Sequence, residues 1–358
     1  MSDPNWSEST LYGDDDRDDT PSSQRPPHDD DSLPDDLPPV QPPSAGMIVQ
    51  LFLIPAVIVA AIVGVYALFG RLASQELDWR QLVTDVRSEN PHVRWRGALG
   101  LAQMLDADRQ RPSDSEKLAA NPQVAQALSD LYGELIGLRQ PTEDELKEIE
   151  FLSKALGRMQ QPDVIAPVFL RGIDPKQERE IRKHSMIGLA MLAGTARDAR
   201  IGFHQPEVVA RVEDVSREAD PLFRQQAAFA LGVIGSQQLL SRLETLLDDP
   251  DQMVRVNSAI GFARNDKTDG VPVFSEVLEE STKWNLDPRN IQTVEDEATY
   301  FERSLMVRNT IKAVDQLRSH LSEDQHSELT TQLRTVSEDL QDPALRTEAL
   351  GVLRQMEN

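Results

Sequence analysis

The sequence predicts an all-α fold: a solenoid of helical hairpins, preceded by one transmembrane helix and a disordered N-terminal tail. Three observations predict it. Four ten-residue segments between Val93 and Ala263 align without gaps. A run from Met47 to Gly70 carries no charge and one amide, Gln50. Residues 1–46 hold twelve acidic residues against two arginines, Arg17 and Arg25, and nine of the 23 prolines.

The tail comes first. With few large apolar residues it cannot bury enough surface to offset the entropy of ordering, which predicts disorder over 1–46. Its "DDDRDD" and "HDDDSLPDD" stretches read as solvated charge. "LPPVQPP", Leu37 to Pro43, favours an extended polyproline II spacer.

The run from Met47 to Gly70 is the second element. At about 1.5 Å per residue it spans roughly 35 Å as a helix, against roughly 30 Å of bilayer hydrocarbon. A single helical crossing satisfies its backbone groups internally. A cleaved signal peptide would need a basic start and a shorter apolar segment, whereas an acidic leader precedes this run. Ala56, Ala60 and Gly64, four apart, form a small-residue ridge through which two such helices could associate weakly.

The remainder, 75–358, is the solenoid. The four aligned segments are "VRWRGALGLA" from Val93, "IRKHSMIGLA" from Ile181, "FRQQAAFALG" from Phe223 and "VRVNSAIGFA" from Val254. Each opens on an apolar residue followed by arginine: Arg94, Arg182, Arg224 and Arg255. Small side chains follow three, six and eight residues later, and a large apolar one seven later. That is the pattern of an amphipathic helix that another helix approaches closely. Asn90-Pro91, Asp220-Pro221 and Asp249-Pro250 precede three of these helices, with Asn or Asp expected as N-cap and proline in the first turn. An earlier apolar helix precedes most copies: "WRQLVTDV", "VIAPVFLRGI", "EVVARVEDV" and "QLLSRLETLL". The unit is helix, turn, helix. "IEFLSKALGRM" from Ile149 and "DPALRTEALGVLRQM" from Asp342 read as degenerate copies. "DADRQRPSDSEKLAA" reads as a long loop, and "EESTKWNLDPRNIQTVEDE" as an irregular insertion.

These segments, "LETLLDDPDQMVRVNSAIGFA" and "LVTDVRSENPHVRWRGALGLAQML" above all, resemble HEAT-repeat proteins, particularly the bacterial HEAT-like repeats related to phycobilin lyases. The resemblance implies a right-handed solenoid and a polar ladder between units, carried here by the spacing of Asp249 and Arg255. It also implies that second helices line a concave face. On those helices the second residue after the arginine is polar in every copy: Arg96, His184, Gln226 and Asn257. That row is expected to be open and to bind a protein partner.

Composition narrows the chemistry. A net charge of −23 over 358 residues argues against a basic nucleic-acid footprint. The absence of cysteine excludes disulfides, thiolate metal sites and cysteine nucleophiles. None of the six histidines is followed by glutamate, so the paired His-Glu ligands of HEAT-type metal hydroxylases have no counterpart, and His184 reads as an isolated surface histidine. "NDKTDGVPVFSE", Asn265 to Glu276, lacks carboxylates at the first and third positions of a calcium loop and reads as a turn in which Asp269 caps the next helix. Glu279-Glu280 read as solvated charge. No catalytic motif and no cofactor site emerges.

Arg71, Arg80 and Arg87 follow the apolar run, whereas the nearest basic residue before it is Arg25. That asymmetry predicts an external tail and a cytoplasmic solenoid. The expected function is a non-catalytic, membrane-anchored scaffold for protein–protein interaction. The alternative is a phycobilin-lyase-like or other enzyme that uses the solenoid groove.

Overall fold

The computed structural model describes residues 78–108, 117–203 and 205–357, with eight helical positions between 46 and 65. Residues 1–45, most of the apolar run (Gly64 included) and the stretch 109–116 lie outside the described residues. Among those described, no helix is long and apolar enough to cross a membrane. The chain divides into two compact units, Met1–Gln75 and Glu76–Asn358. In the first, Ala56, Val57, Val59, Ala60, Ile62, Val63 and Val65 are helical and exposed.

The second unit is built, among its described residues, from fourteen α-helices and no strand. They pair as seven hairpins: α1 (Trp79–Val86) with α2 (Pro91–Asp108), α3 (Pro122–Leu135) with α4 (Glu143–Leu156), α5 (Pro162–Gly172) with α6 (Arg179–Asp198), α7 (Pro206–Val215) with α8 (Pro221–Ile234), α9 (Gln237–Leu246) with α10 (Gln252–Ala263), α11 (Val271–Ser281) with α12 (Val294–Leu317), and α13 (Glu323–Asp339) with α14 (Pro343–Met356). Each second helix packs on the second helix of the next hairpin, from α2 through α14. The hairpins therefore stack in chain order, as a repeat architecture requires.

Local chemistry sets the starts. Asp78, Asn121, Asp220 and Asp342 each accept a backbone N–H at the head of α1, α3, α8 and α14. Thr142 with Glu145, Thr293 with Asp296 and Ser322 with Gln325 form capping boxes on α4, α12 and α13, which satisfies donors that a helix start otherwise leaves unpaired. Gly235 ends α8 in the left-handed region, φ 69°.

Two expected caps move. The cap of α10 is Asp251, not Asp249; its side chain accepts from the Val254 amide. The cap of α11 is Gly270, with no side-chain bond from Asp269. A Cβ at 270 would stand 2.5 Å from the Ala259 Cα, so close approach of backbone to α10 selects glycine over a better cap. The expected long loop after α2 also starts later, because "DAD" extends the helix to Asp108. The expected insertion resolves into the end of α11, a 3-10 turn at Pro288–Asn290 and the first turn of α12. Both predicted degenerate copies fall on second helices, α4 and α14.

The small residues do what their spacing implied. A Cβ on Gly232 of α8 would fall 2.4 Å from the Cα of Gly261 on α10. Neither residue could carry a side chain at this separation, since the neighbouring atom is backbone. Ala228 and Ala259 are fully buried in the same stack. Burial runs almost all round α10, from Val254 to Ala263, because α8, α9, α11 and α12 surround it.

Candidate interaction face

The aligned arginines crosslink successive hairpins. Each reaches forward to a carboxylate of the next unit. Arg94 pairs with Glu134 at 2.8 Å, Arg182 with Glu218 at 2.5 Å and Arg224 with Asp249 at 2.9 Å, and Arg255 pairs with Glu276. Arg308 on α12 extends the series to Glu348 at 2.9 Å. The same guanidiniums also bond their own hairpin's turn: Arg224 Nη1 donates to the Glu218 and Ala219 carbonyls, Arg255 Nη1 to the Asp249 carbonyl. Freed from capping, the Asp249 carboxylate accepts both Nε and Nη2 of Arg224 and the Asp251 amide. Burial pushes that carboxyl up, but the Arg224 bonds and charge and the Asp251 amide outweigh it and hold it below the usual carboxylate range. The ladder implied by the Asp249–Arg255 spacing is present, and its ion pair runs to the preceding unit.

A second set of bonds runs backward, from α6, α8, α10 and α12 or the residues that end them, to main-chain carbonyls of the second helix before. Thr195 Oγ1 donates to Gly157 O at 2.8 Å, Asn265 Nδ2 to Gly232 O at 3.0 Å and Gln316 Nε2 to Ala263 O at 3.0 Å. Two members of the predicted binding row belong here. Gln226 Nε2 donates to Lys183 O at 3.4 Å and Asn257 Nδ2 to Gln225 O at 3.1 Å.

The structure therefore corrects the expectation of an open polar row. Arg96 is exposed, Gln226 and Asn257 are half-buried, and His184 is buried, 7 % exposed. The four do not form one free surface, because at a helix–helix seam a polar side chain is drawn to the neighbouring carbonyls. Nor is His184 a surface histidine. It lies on α6 with Nε2 3.7 Å from Glu180 Oε2 and with Nδ1 buried and without a hydrogen-bond partner. Burial lowers its pKa, as does Lys183, against the opposing pull of Glu150 and Glu180.

What remains open on the second helices lies elsewhere. Gln103 and Lys154 are exposed on α2 and α4. The most exposed large apolar side chains among the described residues are Val294 at 77 % and Phe301 at 67 %, both on α12. Sequence reasoning missed them because it assigned Val294 to an insertion ending at Glu297 and so broke the face that Val294 shares with Phe301. The available signal was the spacing Val294, Ala298, Phe301, Leu305 along one helical face.

A groove of about 640 Å³ lies where α6, α7 and α8 meet, lined by Ile201, Phe203, Val209 and Val233, with Arg197 and Glu213 at its polar edge. Among the described residues no group of three or more His, Asp or Glu side chains is placed to hold a metal ion.

Residues 208–286, from α7 into the segment after α11, match the HEAT-repeat family, described as HEAT repeats. No curated protein matches the chain. Among solved structures, the complex of CpcE and CpcF of phycocyanin lyase from Nostoc sp. PCC7120 is similar at 11% identity and TM-score 0.42, covering 79% of this chain and 96% of that one. The Kap95:Nup1 complex is similar at 10% identity and TM-score 0.45, covering 82% of this chain and 39% of that one. A designed armadillo repeat protein in complex with peptide (KR)4 is similar at 14% identity and TM-score 0.36, covering 77% and 99%.

Proposed function

We propose that this chain is a membrane-anchored scaffold that binds a protein partner through the second-helix face of its HEAT-type stack and performs no chemistry of its own. One observation carries the reading. Forward ion pairs and backward side-chain-to-carbonyl bonds tie six successive second helices, α4 to α14, into one surface. Repeat stacks use such extended surfaces to engage other chains.

The anchor is the run from Met47 to Gly70. Supporting it, Val57, Val59, Ile62, Val63 and Val65 are each 52–59% exposed and Ala56 and Ala60 are exposed as well, and at 100° per residue the seven together point around the whole helix circumference. A helix apolar on every side needs a surrounding that is apolar on every side. Arg71, Arg80 and Arg87 place the solenoid on the cytoplasmic side in this reading.

The test is crosslinking of the full chain in intact membranes, followed by mass spectrometry. A discrete protein partner joined to residues of α2 to α14 supports the scaffold. A second reading, a groove-using enzyme, draws on the 640 Å³ groove beside Phe203 and Val209, a volume common for small-molecule sites. A coloured or otherwise ligand-loaded protein, with no crosslinked partner, would favour that reading instead.

A further inference from the structure

The first turn and a half of α12, Val294 to Thr299, is exposed on every side, and burial begins only at Tyr300. That start is held firmly. Thr293 and Asp296 close a capping box, and Tyr300 donates its hydroxyl to Asp342 Oδ2 at 2.6 Å. Val294, Ala298, Phe301 and Leu305 fall within about 60° of one another on the helix and span about 16 Å. Val294, Ala298 and Phe301 are exposed and Leu305 is half-buried. The ridge is thus apolar, preformed and bare.

Its rim is acidic. Glu295 and Glu302 flank the ridge on one side and Glu297 on the other, all exposed. The nearby cations are turned elsewhere: Arg303 stacks over the Trp284 ring at 5.4 Å, and Arg308 pairs with Glu348. Charge decides among occupants. A second copy of this chain would set the same three glutamates against themselves. The chain's own tail, twelve acids against two arginines, would be repelled, and so would an anionic lipid surface. An apolar face rimmed by lysine or arginine is complementary in both respects.

We propose that the N-terminal turns of α12 are a docking ridge for a basic amphipathic helix of a partner protein. The inference rests on the scaffold reading and names the chemistry of its partner. The mode is helix against apolar ridge, with partner anchors at three- and four-residue spacing.

The experiment uses the full chain in nanodiscs of neutral phosphatidylcholine, with empty discs as blank. The probe is a fluorescent fourteen-residue leucine–lysine peptide with helical periodicity. The variant Val294→Ser with Phe301→Ser should weaken binding roughly tenfold or more, as expected for buried anchors. Glu295→Gln with Glu302→Gln should weaken it and flatten its salt dependence. Leu138→Ser with Glu207→Gln, an exposed apolar side chain and an exposed acid off the second helices, should leave binding unchanged. Equal binding to the Val294/Phe301 variant overturns the ridge. So does equal binding of a leucine–glutamate peptide, or a chain dimer that Phe301→Ser dissociates. If crosslinking recovers the same protein partner from wild type and from the Val294/Phe301 variant, the ridge fails and the scaffold stands. If it recovers no protein from either, the scaffold itself fails.

Discussion

Arg224 and Asp249 join two consecutive hairpins through a two-pronged ion pair, Nε to Oδ2 and Nη2 to Oδ1, each at 2.9 Å. Both side chains are largely buried, 14 % and 8 % exposed. Removing either partner strands the other in the seam between α8 and α10.

Asp249→Ala and Arg224→Ala should therefore each destabilise the solenoid by roughly 3 kcal/mol, with strong coupling in a double-mutant cycle followed by urea unfolding. The half-exposed pair Arg334–Glu357 should contribute less than about 1 kcal/mol. The pH dependence has a fixed sign. The folded pKa of Asp249 lies below its ordinary 3.8, so its contribution is complete above that value and is lost as pH falls through the folded pKa. The gap between wild type and Asp249→Ala should close on acidification in that window and stay constant at neutral pH.

His184 has the same sign in a different window. Its folded pKa lies below 6.5, so on acidification the unfolded chain takes up the proton before the buried ring does. Stability from this group is intact above about pH 6.5 and is lost as pH falls below it through the folded value. Glu150 and Glu180 both titrate lower than usual, chiefly through Lys154 and Lys183 respectively, and stay charged across that window. His184→Gln should remove the part of the melting-temperature change between pH 7.5 and 5.5 that this ring causes. An unchanged slope would assign it elsewhere.

Two glycines should respond oppositely to alanine. Gly232→Ala forces a Cβ into the backbone of Gly261 and should cost roughly 1–3 kcal/mol. Gly351, within α14 with nothing within 4 Å of a built Cβ, should gain roughly 0.5–1 kcal/mol on the same change. Thermal melts of both variants decide it.

The stack was legible wherever the repeat chemistry is local. The arginine followed by small residues at three, six and eight located α2, α6, α8 and α10, because close helix approach demands those residue types whatever the neighbour. It passed over α12, where Ile311 and Val314 stand three and six residues after Arg308. Long-range competition was illegible. Asp249 and Asp251 are equally good caps by sequence, and the choice falls to Arg224, 25 residues earlier. Likewise the polarity of Gln226 and Asn257 was plain, but whether they meet water or the carbonyls of Lys183 and Gln225 depends on how the hairpins stack. The ridge at Val294 and Phe301 was visible only as a spacing that straddles the end of what read as an insertion, which closes at Glu297.

Topology is open to a simple check. Protease added outside spheroplasts should trim the tail and spare the solenoid, as Arg71, Arg80 and Arg87 predict. Digestion of α1 to α14 from outside would reverse the orientation.

The central claim is that the second-helix face engages a protein. Photo-crosslinking residues placed singly at Gln103, Lys154 and Phe301 on second helices, and at Gln126, Arg171 and Arg211 on first helices, test it most directly in living cells. The account predicts one recurrent protein adduct from the second-helix positions and none from the first. Adducts from both faces alike, or from neither, would contradict it.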